Sequence, residues 1–195
     1  MKTIGKISVI TLLIIFSAGI VNAADFKVNP AASLVKWNGK KVTGEHYGTI
    51  SVKSGTLQSD AAGLTGGQVD IDMTSIVNED LKDAGINAKL VGHLKSDDFF
   101  SVEKFPIASL KLTGVKKLSG NDHELTGNLT IKGITHPITF TATVGQEGKA
   151  LVASGKMTIN RAKYEVRYGS GSFFQGLGDK MIYDDFTLDF RLVTE

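Results

Sequence analysis

"PITFTATVGQEGKALVASGKMTIN", residues 137–160, decides the fold. Ile138, Phe140, Ala142 and Val144 alternate with Thr139, Thr141 and Thr143. After the polar turn Gly145-Gln146-Glu147-Gly148 the apolar series resumes at Leu151, Ala153, Met157 and Ile159. A two-residue period sends successive side chains to opposite faces of a strand, so each half has one dry face and one wet face. The glycine-bounded turn joins the halves as a hairpin.

The same alternation extends in both directions. Phe186, Leu188, Phe190 and Leu192 interleave with Thr187, Asp189 and Arg191 toward the C-terminus. Toward the N-terminus come Leu125, Leu129 and Ile131; Leu110 and Leu112; Val69, Ile71 and Met73; Ile50 and Val52; and Val35 with Trp37. Ser119-Gly120-Asn121-Asp122 is a second hairpin turn, and Pro106 and Pro137 stand at strand starts, where a missing N–H does least harm. The pattern predicts eight strands. One segment departs from it: between Asp80 and Ser96, Leu81, Ile86, Leu90 and Leu94 recur at helical spacing, with Lys82, Lys89 and Lys95 outward. A short helix is expected there, between the third and fourth strands.

The class is therefore all-β, and closure into an eight-stranded antiparallel barrel is favoured over a sandwich because it removes exposed strand edges. Such a barrel is just wide enough to be filled by side chains or to hold one small ligand. The dry face mixes Gly48, Ala108, Gly127, Ala142, Ala153 and Gly155 with leucines and phenylalanines, and the residues alone leave open whether these fill a taper or leave a tube. An outer-membrane barrel would show the alternation inverted. The missing aromatic girdles and the unplaced helix argue against that arrangement.

Lys2 and Lys6 precede an apolar run from Ile7 to Val21 that ends in small residues, the pattern of a secretory signal cleaved after Ala23. The expected domain organisation is a leader, 1–23, followed by one barrel domain, 24–195, in the periplasm. Loss of the leader lowers the basic count from 22 to 20, equal to the 20 acidic residues. A neutral chain without a dense basic run gives no electrostatic case for nucleic acid or stable membrane insertion. With no cysteine, neither disulfides nor thiol chemistry are available.

No motif for bond chemistry stands out. His46, His93, His123 and His136 are scattered without metal-ligand spacing, so no metal is expected, and His123 beside its polar turn reads as solvated. Gly169-Ser170-Gly171-Ser172 lacks the second glycine of a nucleophile elbow. Asp97-Asp98 and Asp184-Asp185 are neighbours in sequence, and neighbours on a strand face opposite ways. "GSGSFFQGLGDK", residues 169–180, has no Gly-Lys-Ser/Thr for phosphate; its apolar content suits the lining or cover of an opening. Neither catalytic residues nor a cofactor are expected.

Three stretches, "HLKSDDFFSVEKFPIASL" (93–110), "GNLTIKGITHPITF" (127–140) and "INRAKYEVRYGSGSFF" with "DDFTLDF" (159–174, 184–190), resemble the YceI-like family of lipocalin-like periplasmic proteins. Where many members carry phenylalanine and glycine, this chain has Tyr164 and Glu165. The resemblance implies a lipocalin-like barrel with a helix by its mouth, often dimeric. Its tunnel would hold a polyisoprenoid, a quinone-like lipid or another long-chain, fatty-acid-derived amphiphile. The tunnel wall is then expected to include Trp37, Phe99, Phe100, Phe105, Leu110, Phe140, Met157, Tyr168, Phe173, Phe174, Phe186 and Phe190. His46, Tyr47, His93 and Arg161 are the head-group candidates. The rival expectation is a packed structural barrel without a ligand.

Overall fold

The computed structural model describes residues 23–195, so the expected leader lies outside the described residues except for Ala23. The strands are β1 (Ala24–Lys27), β2 (Leu34–Lys41), β3 (Gly44–Asp60), β4 (Gly63–Asn78), β5 (Ile107–Lys117), β6 (Asp122–Ile131), β7 (Ile134–Glu147), β8 (Ala150–Asn160) and β9 (Ile182–Val193). One α-helix, α1 (Ala84–Lys95), joins β4 to β5. All pairings between these strands are antiparallel. The order β3-β2-β9-β8-β7-β6-β5-β4 closes through pairing of β4 with β3. The result is an eight-stranded barrel.

The ninth strand explains a correction. β3 has 17 residues, whereas β2 has 8 and pairs with it only as far as Val35 opposite Ile50. β1 takes over beyond that point, setting Lys27 opposite Thr56 and Ala24 opposite Ser59. The first barrel strand is thus broken in two by the turn at Pro30–Ala32. Four residues are too few to show a period, so the helix expected between the third and fourth strands stands between β4 and β5.

The helix is also shorter than its apolar spacing suggests. Asp83 caps it, accepting the Ile86 N–H at 2.8 Å, and Leu81 lies outside it. His93 and Lys95 occupy the last turn, where cations suit the negative end of the helix dipole.

The dry face points inward. Leu125, Leu129, Phe140, Ala142, Ala153, Met157 and Leu192 are buried, while Lys36, Thr139, Thr141, Thr143, Asp189 and Arg191 face outward and are exposed. This exterior is the opposite of a lipid-facing barrel, and no described helix is long and apolar enough to cross a membrane. Of the hairpins, β6–β7 turns on Lys132 (φ 53°) and Gly133 (φ 75°), the type I′ geometry that follows strand twist. Pro137 lies inside β7 rather than at its start. It pairs with Asn128, but β8 joins β7 only from Ala142, so the proline's missing N–H falls where β7 has a single sheet neighbour.

Candidate functional site

A cavity of about 240 Å³ runs inside the barrel. Leu57, Leu64 and Leu125 line one end, Phe140, Met157 and Leu188 the middle, and Ile76, Phe186 and Ile182 the end beside α1. The wall is almost wholly aliphatic and aromatic because the inward positions of every strand are. The small residues matter here: Ala108 and Ala153 line the cavity, each opposite a larger neighbour.

Eight of the twelve expected wall residues do line it, Trp37, Phe99, Phe100, Leu110, Phe140, Met157, Phe186 and Phe190, and so does His93 from the head-group set. Phe140 and Phe190 meet edge to face at 5.9 Å, as do Phe100 and Phe186 at 6.3 Å. Trp37 Nε1–H donates to Val77 O at 3.0 Å, which fixes the indole against the wall.

Four expected wall residues lie elsewhere. Phe105 packs over the β6–β7 turn, its ring 2.9 Å from where a Cβ on Gly133 would sit. Phe173 and Phe174 both donate their backbone N–H to Ser170 O, at 3.2 and 3.0 Å, and that turn points both rings outward. Phe173 stacks under the Arg167 guanidinium at 4.8 Å, and Phe174 borders a separate outer cleft with Lys132, Glu165 and Lys180. Tyr168, half exposed, borders the same cleft and meets His93 edge on at 4.4 Å. The cleft is a more open hollow of about 530 Å³, and its mixed charges make it a poor host for a hydrocarbon chain.

The head-group candidates separate too. His46 lines the cavity, with Nδ1 2.7 Å from Asp80 Oδ2. Tyr47 is exposed and off the wall; its backbone takes part instead, the N–H donating to Asp80 Oδ1 at 2.9 Å and the carbonyl accepting from the Asn78 amide at 3.1 Å. Burial pushes the Asp80 carboxyl up, but the Tyr47 N–H, His46 and Asn78 together hold it below the usual carboxylate value. Arg161 lines the cavity at 2% exposure, yet its guanidinium donates to Tyr183 O, Val166 O and Ile182 O at 3.1, 2.6 and 3.0 Å. It braces the chain between β8 and β9. Burial pulls it below its ordinary value, against the attraction of Asp184. His123 is buried rather than solvated, because β6 turns it inward, where it meets Asn121 O at 2.9 Å.

Sequence reasoning missed Lys40, Lys41 and Tyr183, which also line the α1 end, and Leu90 and Leu94 on the inner side of the helix. The two leucines carried the helical spacing that located α1; the lysines carried no signal, since polar residues at a strand end are ordinary.

A closed barrel with an apolar bore and one helix over its end is a shape shared with known proteins. The YceI-like domain profile matches residues 26–194. The chain belongs to the YceI-like family. It is 33% identical over 154 residues to a UPF0312 protein of Pseudomonas fluorescens, covering 76% of this chain and 75% of that one. Protein YceI of Escherichia coli is 31% identical over 69% of each chain. Among solved structures, Burkholderia cenocepacia BcnA superposes with a TM-score of 0.68 at 26% identity, over 86% of this chain and 99% of that one. A polyisoprenoid-binding domain from Saccharophagus degradans shares the fold, with a TM-score of 0.61 at 17% identity over 87% and 97%.

One departure from the YceI-like pattern now has a physical reading. Tyr164 is buried and meets His136 edge on at 5.3 Å, closing the wall where β7 lacks β8. Glu165 follows with φ 56°, the left-handed region that glycine adopts without penalty.

Proposed function

We propose that this YceI-like protein is a periplasmic carrier or reservoir for a polyisoprenoid or similar long-chain amphiphile, held in the barrel without bond-making. The observation that carries this reading is the apolar cavity extending from Leu64 to Ile182. The polyisoprenoid binding of the S. degradans relative supports it by analogy of fold. Each methylene moved from water into such a bore contributes about 0.8 kcal/mol. A chain of several isoprene units can therefore offset the roughly 4–15 kcal/mol that association costs.

Filling the bore tests the reading. Ala153→Phe places a ring in the cavity between Val144 of β7 and Leu192 of β9. Geranylgeraniol is expected to raise the melting temperature of the wild type and to leave that of the variant unchanged. Equal stabilisation of both proteins would place the ligand elsewhere, and stabilisation of neither would leave the packed structural barrel as the better account. The expected homodimer is a separate matter, read by sedimentation.

A further inference from the structure

The exposed hydrophobic side chains are unevenly spread. Of the eleven large ones among the described residues, Leu34 and Leu118 stand at the end of the barrel away from α1, and Ile107 stands farther down the wall, opposite Asp72 of β4. The other eight gather at the α1 end. Val42 is in the β2–β3 turn, and Val77 and Ile86 lie on either side of the entry to α1, where Tyr47 O accepts the Glu79 N–H at 2.9 Å. Tyr183 opens β9, and Tyr168, Phe173 and Phe174 stand in the connection that leads to it from β8. Register brings these elements to one end. Lys41 closes β2 opposite Ile182 of β9, and Gly48 of β3 stands opposite Asn78, the last residue of β4.

This rim is continuous with the bore, since Tyr183 is 47% exposed and also lines the cavity. Tyrosine and phenylalanine are side chains that settle at a lipid–water interface. The exposed charges among them are of both signs, Lys89, Lys163 and Lys180 against Asp98, Glu165 and Asp179, a match for zwitterionic head groups, which present phosphate and ammonium together. A chain that crossed water between bilayer and bore would expose each methylene at a cost of about 0.8 kcal/mol. A mouth set against the bilayer avoids that exposure, whereas a protein partner seated on the rim would cap the mouth.

We propose that the α1 end docks reversibly on a zwitterionic lipid bilayer, with Ile86, Phe173 and Phe174 entering the head-group layer and the mouth of the bore facing it. No element crosses the bilayer; the contact is interfacial and grows with the apolar area it buries. The proposal rests on the carrier reading for what passes through the mouth.

The test uses cargo-free phosphatidylcholine vesicles. Because the chain has no cysteine, Ala88→Cys on α1, Gln175→Cys beside Phe174 and Ser119→Cys at the opposite end each carry a single polarity-sensitive thiol dye, all at exposed positions. Vesicles are expected to shift the emission at 88 and 175 to the blue and to leave that at 119 unchanged. Phe173→Ser/Phe174→Ser is expected to weaken vesicle partition about ten-fold. Stabilisation by geranylgeraniol should persist in that variant, because neither ring lines the bore. An equal shift at 119, partition unaffected by the double variant, or no partition while geranylgeraniol still raises the melting temperature overturns the docking and leaves the carrier intact. A lipid-free dimer that the double variant dissociates, with no vesicle binding, also overturns it and gives the rim to a second copy of the chain. Vesicle docking by a protein that geranylgeraniol does not stabilise supports the docking and removes the carrier.

Discussion

Gly48 has no side chain because there is no room for one. A Cβ there would overlap Val77 O, the same carbonyl that accepts the Trp37 indole N–H. Gly48→Ala must therefore push β4 away from β3 or release Trp37. A loss of about 1–3 kcal/mol is expected from denaturant melts, the usual range for overpacking; an unchanged midpoint would show that the strands can shift freely. Glu165 is the converse case. Its φ of 56° costs an L-residue about 1–2 kcal/mol, of which the greater chain entropy of glycine returns roughly half. The exposed pairing of Glu165 with Arg167 contributes little against that. Glu165→Gly is accordingly expected to stabilise by about 0.5–1 kcal/mol, and a lower melting temperature would mean that the Arg167 contact matters more than the backbone. Residue identity alone could not reveal the outward turn of Phe173 and Phe174. Two adjacent phenylalanines look like buried surface, but Ser170 O, by accepting both N–H groups, fixes their direction.

α1 is held by its ends more than by its faces, since none of its residues is fully buried. Before it, Asp80 gathers His46, the Tyr47 N–H and Asn78, and the Asn87 amide donates to Asn78 and Leu81 carbonyls at 3.0 and 3.1 Å. After it, Phe99 and Val102 are buried in the core. The depressed Asp80 pKa gives the entry to α1 a defined acid response. A carboxylate with a lowered folded-state pKa adds stability above its ordinary value of 3.8, and that stability disappears as pH falls through the folded-state value. Asp80→Asn is expected to melt below the wild type at pH 7, with faster amide exchange in residues 84–95. The gap should close below about pH 4. A gap independent of pH would show that the Asp80 charge does not hold the helix. At this scale the sequence was readable wherever a period had room to repeat. β5 to β9 each carry several alternating pairs, and α1 carries Leu90 and Leu94 one turn apart. β1, with four residues, and the register shift between Gly39 and Lys41, where Lys40 stands opposite three residues of β9, leave no periodic trace.

The molecule as a whole is a barrel whose inward side chains do not fill it. Closure, inward orientation and the single helix over one end were legible because they follow from alternation. Hollowness was not, because Ala108 and Ala153 serve equally well to taper a solid core. It depends on what faces them across the bore, and that appears only when eight strands are in register. The central claim is that this space holds a long-chain lipid. Native mass spectrometry of the protein, purified without detergent and followed by organic extraction, tests it most directly. The account predicts a discrete long-chain adduct at near-stoichiometric ratio. Bare protein that gains no thermal stability from added prenyl lipids would contradict it and make the barrel a structural one.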